Sequence, residues 1–339
     1  MDRILGNEEL KKYFRTAVRN GTVSHAYILE GEKGSGKKLI ARALSRLLQC
    51  ETPVMGPEGL TACGRCRSCI MMEHRDHPDV LWVGQEKAGT IGVHEVREQM
   101  VSTVDIMPYK GPWKIYIIDE AERMTPAAQN AALKTIEEPP RYAVIFLLTA
   151  NRGAFLPTIR SRCVLLSTRP VPDRTVIEYL TGECGIPEEK TGFPAAFAMG
   201  NIGRARQAAL SAAFSGLKET AFKMLREIHT LRDYEIISRI RESGSLKDDF
   251  RDYLDILTIW FRDILVLKAL GDERQLIFKE EAPILGRQAK ALNCEGVNDI
   301  LEEIRHTEKR LRANVNFEAA VEMLHISIKN RFREESDKR

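Results

Sequence analysis

Residues 31–38 read Gly31-Glu32-Lys33-Gly34-Ser35-Gly36-Lys37-Lys38. They follow an apolar run at 26–30 and open a stretch of helical periodicity at 37–48. In that setting a glycine-rich loop can cradle phosphate. Its glycines let backbone N–H groups turn inward around phosphate oxygens, and the helix start adds positive potential. Gly31, Gly34, Ser35, Gly36 and Lys37 are the expected nucleotide contacts, with Lys37 reaching for the outer phosphates of ATP. Position 38 breaks the pattern. Loops of this kind carry Ser or Thr there, and the hydroxyl ligates Mg²⁺. Lys38 has no acceptor atom and brings a positive charge. The loop admits ATP with Mg²⁺ as a cofactor, but its last residue argues against hydrolysis by this chain. The plainer alternative is a glycine-rich turn inherited from an ATPase ancestor.

A second group of chemical interest is Asp119-Glu120, which ends the apolar run Ile115-Tyr116-Ile117-Ile118. After a phosphate loop in the same α/β half, this reads as the acidic strand end of a nucleotide site. Asp119 would hold the Mg²⁺ shell, and Glu120 would polarise an attacking water. Carboxylates also end strands simply because strand ends are solvated. Asn151 closes the next apolar run and is placed to sense a γ-phosphate or a water; Asn is equally at home as a loop cap.

Four cysteines cluster as Cys50-x12-Cys63-x2-Cys66-x2-Cys69. Four thiolates at this spacing suit tetrahedral Zn²⁺ in a closed, structural site with no open position for catalysis. The alternatives are four free thiols, or a redox pair without its usual surroundings. His74 and His77 are nearby substitute ligands, although His77 precedes Pro78 and reads as structural. Cys163, Cys184 and Cys294 are scattered and read as small apolar side chains.

These residues need a scaffold. Apolar runs at 26–30, 80–83, 115–119, 144–149 and 163–166 alternate with amphipathic stretches, the pattern of a mainly parallel sheet buried on both faces. One helix is expected at 37–48; another starts at Thr125, with Pro126 in its first turn. Pro170 and Pro172 mark a break. Beyond it the strand signal fades. Leu254, Ile256, Leu257, Trp260, Phe261, Ile264, Leu265 and Leu267 recur at helical spacing, and 298–332 reads as one or two long helices before a charged tail. Three domains are expected: an α/β phosphate-loop domain at 1–168 with a metal-binding insertion at 50–69, a small helical lid at 169–210, and an all-α domain at 211–339. With 43% hydrophobic and 29% charged residues the chain can bury ordinary cores. A net charge of +3 confines any nucleic-acid contact to a local patch. The charged start, MDRILGNEEL, lacks a leader's apolar stretch, and no run is long enough to span a bilayer. A soluble cytoplasmic protein without a membrane partner is expected.

One more stretch, Ile159-Arg160-Ser161-Arg162-Cys163, completes a set. Alone, an Arg here reads as a surface ion pair. The set also comprises His25-Ala26-Tyr27, the cysteine cluster, His77-Pro78-Asp79-Val80, Asn130 through Pro140 (NAALKTIEEPP) and Gly203-Arg204-Ala205. Together these resemble the AAA+ clamp-loader subunits of bacterial DNA polymerase III over most of the chain. The resemblance implies a P-loop AAA+ domain, a lid and a helical collar. It also implies a hetero-pentamer with tau/gamma and delta subunits that loads a sliding clamp onto primed DNA. Carried over, Arg162 is a trans arginine finger for a neighbour's ATP site, and Arg204 matches the lid position called sensor 2.

Within the family the chain is most similar to the delta-prime branch. It has no long tail after the collar, position 38 is Lys, and the segment 310–328 with Asn314-Val315-Asn316 resembles that branch. The intact Asp119-Glu120 pair points mildly toward a tau/gamma-like motor ATPase instead. A subunit that has lost all nucleotide contact is a third reading, opposed by Lys37, Asp119 and Glu120. No nucleotidyl-transfer site is visible, so any polymerase activity belongs to the holoenzyme.

Overall fold

The computed structural model describes residues 4–84, 89–242, 249–313 and 315–337; Asn314 lies outside them. The chain divides into two compact units, one of residues 1–176 with 200–204, the other of 177–199 with 205–339.

The first unit is built on a five-stranded parallel sheet. Its strands are β1 (Ala26–Glu30), β4 (Val80–Val83), β5 (Lys114–Ile118), β6 (Ala143–Thr149) and β7 (Val164–Ser167), in the order β4-β5-β6-β1-β7. The central strands are apolar except for one end residue each (Glu30, Lys114, Thr149), because both their faces are buried. The period of two sorts their side chains into two cores. Ala26, Ile28, Tyr116, Ile118, Ile145 and Leu147 pack on one face. There they meet α5 (Pro126–Glu137) and α4 (Val93–Val96), which runs on into a single π turn, Arg97–Val101. Tyr27, Leu29, Ile115, Ile117, Val144, Phe146 and Leu148 pack on the other, against α1 (Glu8–Asn20) and α2 (Lys37–Gln49). Tyr27 and Phe146 stack at 5.3 Å between ring centroids, with Phe14 of α1 5.6 Å from Tyr27.

Thr125 caps α5, its hydroxyl accepting from Ala128 N at 3.2 Å, and Pro126 occupies the first turn. The short helix α6 (Pro157–Arg160) leads into β7. Between α2 and β4 the chain forms a small module: the hairpin β2 (Val54–Gly56) and β3 (Gly59–Thr61), then α3 (Arg67–His74).

The second unit is helical. Its elements are α7 (Asp173–Gly182) and α9 (Ile202–Leu210), whose first turns belong to the first unit, with α8 (Gly192–Ala198), α10 (Ala212–Glu227), α11 (Asp233–Glu242), α12 (Phe250–Leu270), α13 (Ala282–Ala291), α14 (Cys294–Arg312) and α15 (Phe317–Asp337). The C-terminal stretch is thus two helices. Helix α12 is the spine: Leu254, Ile256, Leu257, Trp260, Phe261 and Ile264 are buried, and Leu265 and Leu267 pack against the same core. Its polar atoms are satisfied inside. Trp260 Nε1 donates to Gln288 Oε1 at 2.8 Å, and Gln288 Nε2 donates to Leu225 O at 2.7 Å. Among the described residues no helix is long and apolar enough to cross a membrane.

Candidate nucleotide and metal sites

The carboxyl ends of parallel strands are where an open α/β sheet binds ligands, and four site segments converge there. The loop after β1 is shaped by Gly34 and Gly36, at φ +88° and +87°, a region open to glycine and strained for other residues. Helix α2 starts directly after it, so its free N–H groups face the loop. Lys37 Nζ donates to Gly31 O at 2.6 Å and Glu32 O at 2.9 Å. Burial pulls the Lys37 ammonium below the usual lysine range; the carboxylates of Glu122, Asp119 and Glu120 oppose that shift. The Ser35 hydroxyl is buried and has no partner among the described residues. A phosphate group would give it one, so loop, lysine and hydroxyl fit a nucleotide's phosphates.

The fit to Mg²⁺ is different. Lys38 Nζ lies 2.6 Å from Asp119 Oδ2, just past the end of β5. The carboxylate expected to hold the ion's shell is thus engaged by an ammonium. Glu120 adopts a left-handed backbone (φ +47°) and pairs with Arg123 at 3.1 Å. Asn151, past the end of β6, accepts from Gly153 N at 2.9 Å through its side-chain oxygen, which makes it the cap of its own loop. The residues present do not fit a divalent ion bound between position 38 and Asp119.

The segment 200–204 packs against the loop within the same unit. Asn201 Nδ2 donates to Lys33 O at 2.9 Å, and Gly203 N donates to Gly34 O at 3.1 Å. A Cβ on Gly203 would fall 2.7 Å from Gly34 Cα, so the approach needs glycine. Arg204 follows at once, its backbone N–H bonded to Asn201 Oδ1 at 3.1 Å.

Arg162 stands elsewhere. The register pairs Tyr27 with Val164 and Glu30 with Ser167, so Arg162, just before β7, is at the amino edge of the sheet. The phosphate loop leaves the carboxyl edge, about 16 Å away at the ordinary rise of a strand. Arg162 Nε pairs with Glu137 Oε1 at 3.0 Å, and its Nη1 donates to Thr158 O at 3.0 Å. Its side chain is 40% exposed.

The four cysteine sulfurs lie within 4.8 Å of one another. Cys50 ends α2 and Cys66 caps α3. Backbone N–H groups already point at sulfur: Cys63 N to Cys50 Sγ at 3.2 Å, Cys66 N to Cys63 Sγ at 3.3 Å, and Cys69 N to Cys66 Sγ at 3.4 Å. A tetrahedral centre with bonds of about 2.3 Å needs sulfurs about 3.8 Å apart, so the cluster can close on a metal ion by small rotations. Burial pushes the Cys50 thiol up to about 12 and raises Cys69, whereas hydrogen bonds from Thr52 and from the backbone N–H groups of Arg65 and Cys66 bring Cys63 down to about 6. A bound cation would deprotonate all four. Neither nearby histidine joins the cluster. His77 is buried and accepts from Asp79 N at 3.2 Å.

Three contributors were not legible beforehand. Glu122 accepts from Ala150 N at 3.2 Å, and its buried Oε2 has no partner among the described residues. Glu137 holds Arg162. Arg46 of α2 pairs with Glu73 of α3 at 3.3 Å, tying the cysteine module to the helix after the phosphate loop. Glu122 left a trace as the third carboxylate of Asp119-Glu120-Ala121-Glu122, and Glu137 lay within the stretch 130–140 without its partner being specified.

A parallel sheet with a phosphate loop after its first strand, an acidic pair after β5 and a helical C-terminal unit defines a P-loop protein of the AAA+ type. Residues 6–172 match the family described as DNA polymerase III, delta subunit. The chain is 35% identical over 170 residues to DNA polymerase III subunit delta' of Escherichia coli K12, covering 50% of this chain and 49% of that one. It is 25% identical over 325 residues to subunit delta' of Bacillus subtilis 168, covering 92% and 93%. It is 27% identical over 336 residues to subunit gamma/tau of Mycobacterium bovis, covering 89% of this chain and 57% of that one. The chain thus spans about half the length of the Escherichia coli and Mycobacterium relatives. Residues 6–172 thus belong to the family of DNA polymerase III clamp-loader subunits.

Proposed function

We propose that this chain is the delta-prime-type member of a clamp loader, a subunit that does not hydrolyse ATP and lends Arg162 to a neighbour's ATP site. The observation that carries the reading is the Lys38–Asp119 ion pair at 2.6 Å, which occupies the carboxylate a hydrolytic site needs for Mg²⁺. The Glu120–Arg123 pair engages the water-polarising carboxylate as well. Arg162 supports the trans role by its place: at the amino edge of the sheet it is a strand's length from its own phosphate loop, while Glu137 fixes its fork on the surface.

In this reading residues 169–210 serve as lid and 211–339 as collar, in a hetero-pentamer with tau/gamma and delta subunits that acts on the sliding clamp and primed DNA in the cytoplasm. The cysteine module holds a structural Zn²⁺ through Cys50, Cys63, Cys66 and Cys69. Bound there, the ion would supply cross-linking and no chemistry. A motor reading has two observations in its favour, the retained Asp119-Glu120 pair and the 27% identity to a gamma/tau subunit over most of this chain.

The test is clamp- and DNA-stimulated ATP turnover by a loader assembled with the Arg162→Ala chain. Loss of a finger lowers the rate of the site it serves by about 10³-fold or more. Overall turnover should fall by that site's share while the complex still assembles; unchanged turnover would remove the trans role.

A further inference from the structure

The geometry points to a phosphate loop that takes a nucleoside di- or triphosphate without a divalent cation, the Lys38 ammonium standing where the cation would be. The inference rests on the non-hydrolytic reading above and extends it to the ligand. In P-loop sites, the side chain at this position and the acidic strand end share the ion that bridges the β- and γ-phosphates. Here the same two positions share a covalently attached cation, Lys38 Nζ on Asp119 Oδ2. The rest of the cradle is retained. Gly34 and Gly36 hold the left-handed turns, α2 directs its N-terminus at the loop, and Lys37 lies at the loop carbonyls. The buried Ser35 hydroxyl lacks a partner among the described residues.

The charge balance also favours the metal-free ligand. Lys38 offsets Asp119 and Arg123 offsets Glu120, which leaves the Lys37 ammonium and the helix N-terminus to complement a free polyphosphate. A divalent ion entering the same space would have to displace Lys38 from Asp119 and would then share one carboxylate with an adjacent ammonium. Mg²⁺ in solution instead competes by sequestering the free nucleotide. The site should therefore prefer nucleotide in the presence of a chelator, the reverse of a motor subunit.

The experiment is equilibrium binding of ADP and of ATP to the full chain, by calorimetry or a fluorescent analogue, in excess Mg²⁺ and in excess EDTA, with hydrolysis followed in parallel. The native chain is expected to bind as tightly in EDTA as in Mg²⁺, or tighter. Lys38→Thr restores a hydroxyl and frees Asp119; it should reverse the preference and bind about tenfold tighter with Mg²⁺. Tenfold tighter binding by the native chain in Mg²⁺ without turnover would overturn the metal-free site and leave the non-hydrolytic reading standing. No binding in either condition would do the same. Mg²⁺-dependent turnover by the native chain would overturn both.

Discussion

His325 makes the helical unit acid-sensitive by an amount that can be worked out from its surroundings. The ring is fully buried on α15, with Nδ1 2.8 Å from Val321 O and Nε2 2.7 Å from the Tyr253 hydroxyl of α12. The backbone oxygen only accepts, so Nδ1 carries the proton and Nε2 accepts from Tyr253. A second proton would have to enter on Nε2, reversing that bond so that the Tyr253 hydroxyl proton loses its acceptor, and placing a charge in an apolar core. Burial accordingly pulls the imidazole down to about 4. In the unfolded chain it titrates near its ordinary value of about 6.5. The unfolded state therefore binds more protons between these values, and stability falls as pH drops through that window. The contribution is whole above about pH 6.5, lost progressively below it, and level again below about pH 4. From pH 7 to pH 5 the loss comes to about 2 kcal/mol. The assay is urea unfolding at both pH values, followed at Trp260 in the same core, with Trp82→Phe and Trp113→Phe silencing the other tryptophans. His325→Gln keeps a hydrogen-bonding side chain and removes the titration. The native chain should lose about 2 kcal/mol more than this variant between the two pH values, a difference in which all other titrating groups cancel. Equal losses would show that His325 does not titrate as its burial requires.

Other consequences are more direct. Chain purified without chelator should carry about one zinc per molecule, and Cys66→Ser should lose it. At a free-metal level near 100 times Kd the ion adds about 2.7 kcal/mol to the α/β unit, so a thermal melt in chelator should shift down accordingly; metal-free protein with an unchanged melt would contradict the assigned ligands. Arg162→Lys keeps the charge and loses the planar fork. It should depress loader turnover nearly as far as Arg162→Ala, with folding barely affected because the Glu137 pair is half exposed. Gly203→Ala forces a Cβ onto the backbone of Gly34 and should cost about 1–3 kcal/mol in a denaturant melt, as overpacking does.

What could be read ahead of the structure was what is local in the chain. The glycine loop, the Thr125 cap with Pro126, the predominantly apolar central strands and the apolar stripe of α12 each follow from neighbouring residues, and each lies where expected. The four cysteines were legible because their spacing is itself the motif. Helix α1 was missed: its N-cap residue, Asn7, makes no side-chain cap, and its buried apolar residues, Leu10, Phe14 and Ala17, are interrupted by the buried Lys11 and Arg15. The hairpin of β2 and β3 was missed because three-residue strands, largely unburied, have no periodicity to detect. Pairings were the least accessible. That Lys38 could not ligate a metal follows from its chemistry. That it would hold Asp119 depends on β5 and β1 lying in one sheet with β6 between them, which no local pattern specifies. Glu137 on Arg162 is the same case, a contact made only when α5 and the turn before β7 are packed together.

The account turns on whether this chain hydrolyses ATP. The most direct measurement is single-turnover hydrolysis of γ-labelled ATP by the purified full chain in Mg²⁺, with Lys38→Thr alongside. With Lys38 on Asp119 and Arg123 on Glu120, the native chain should release no phosphate above the buffer rate. Mg²⁺-dependent release by the native chain would contradict the account and make it a motor subunit.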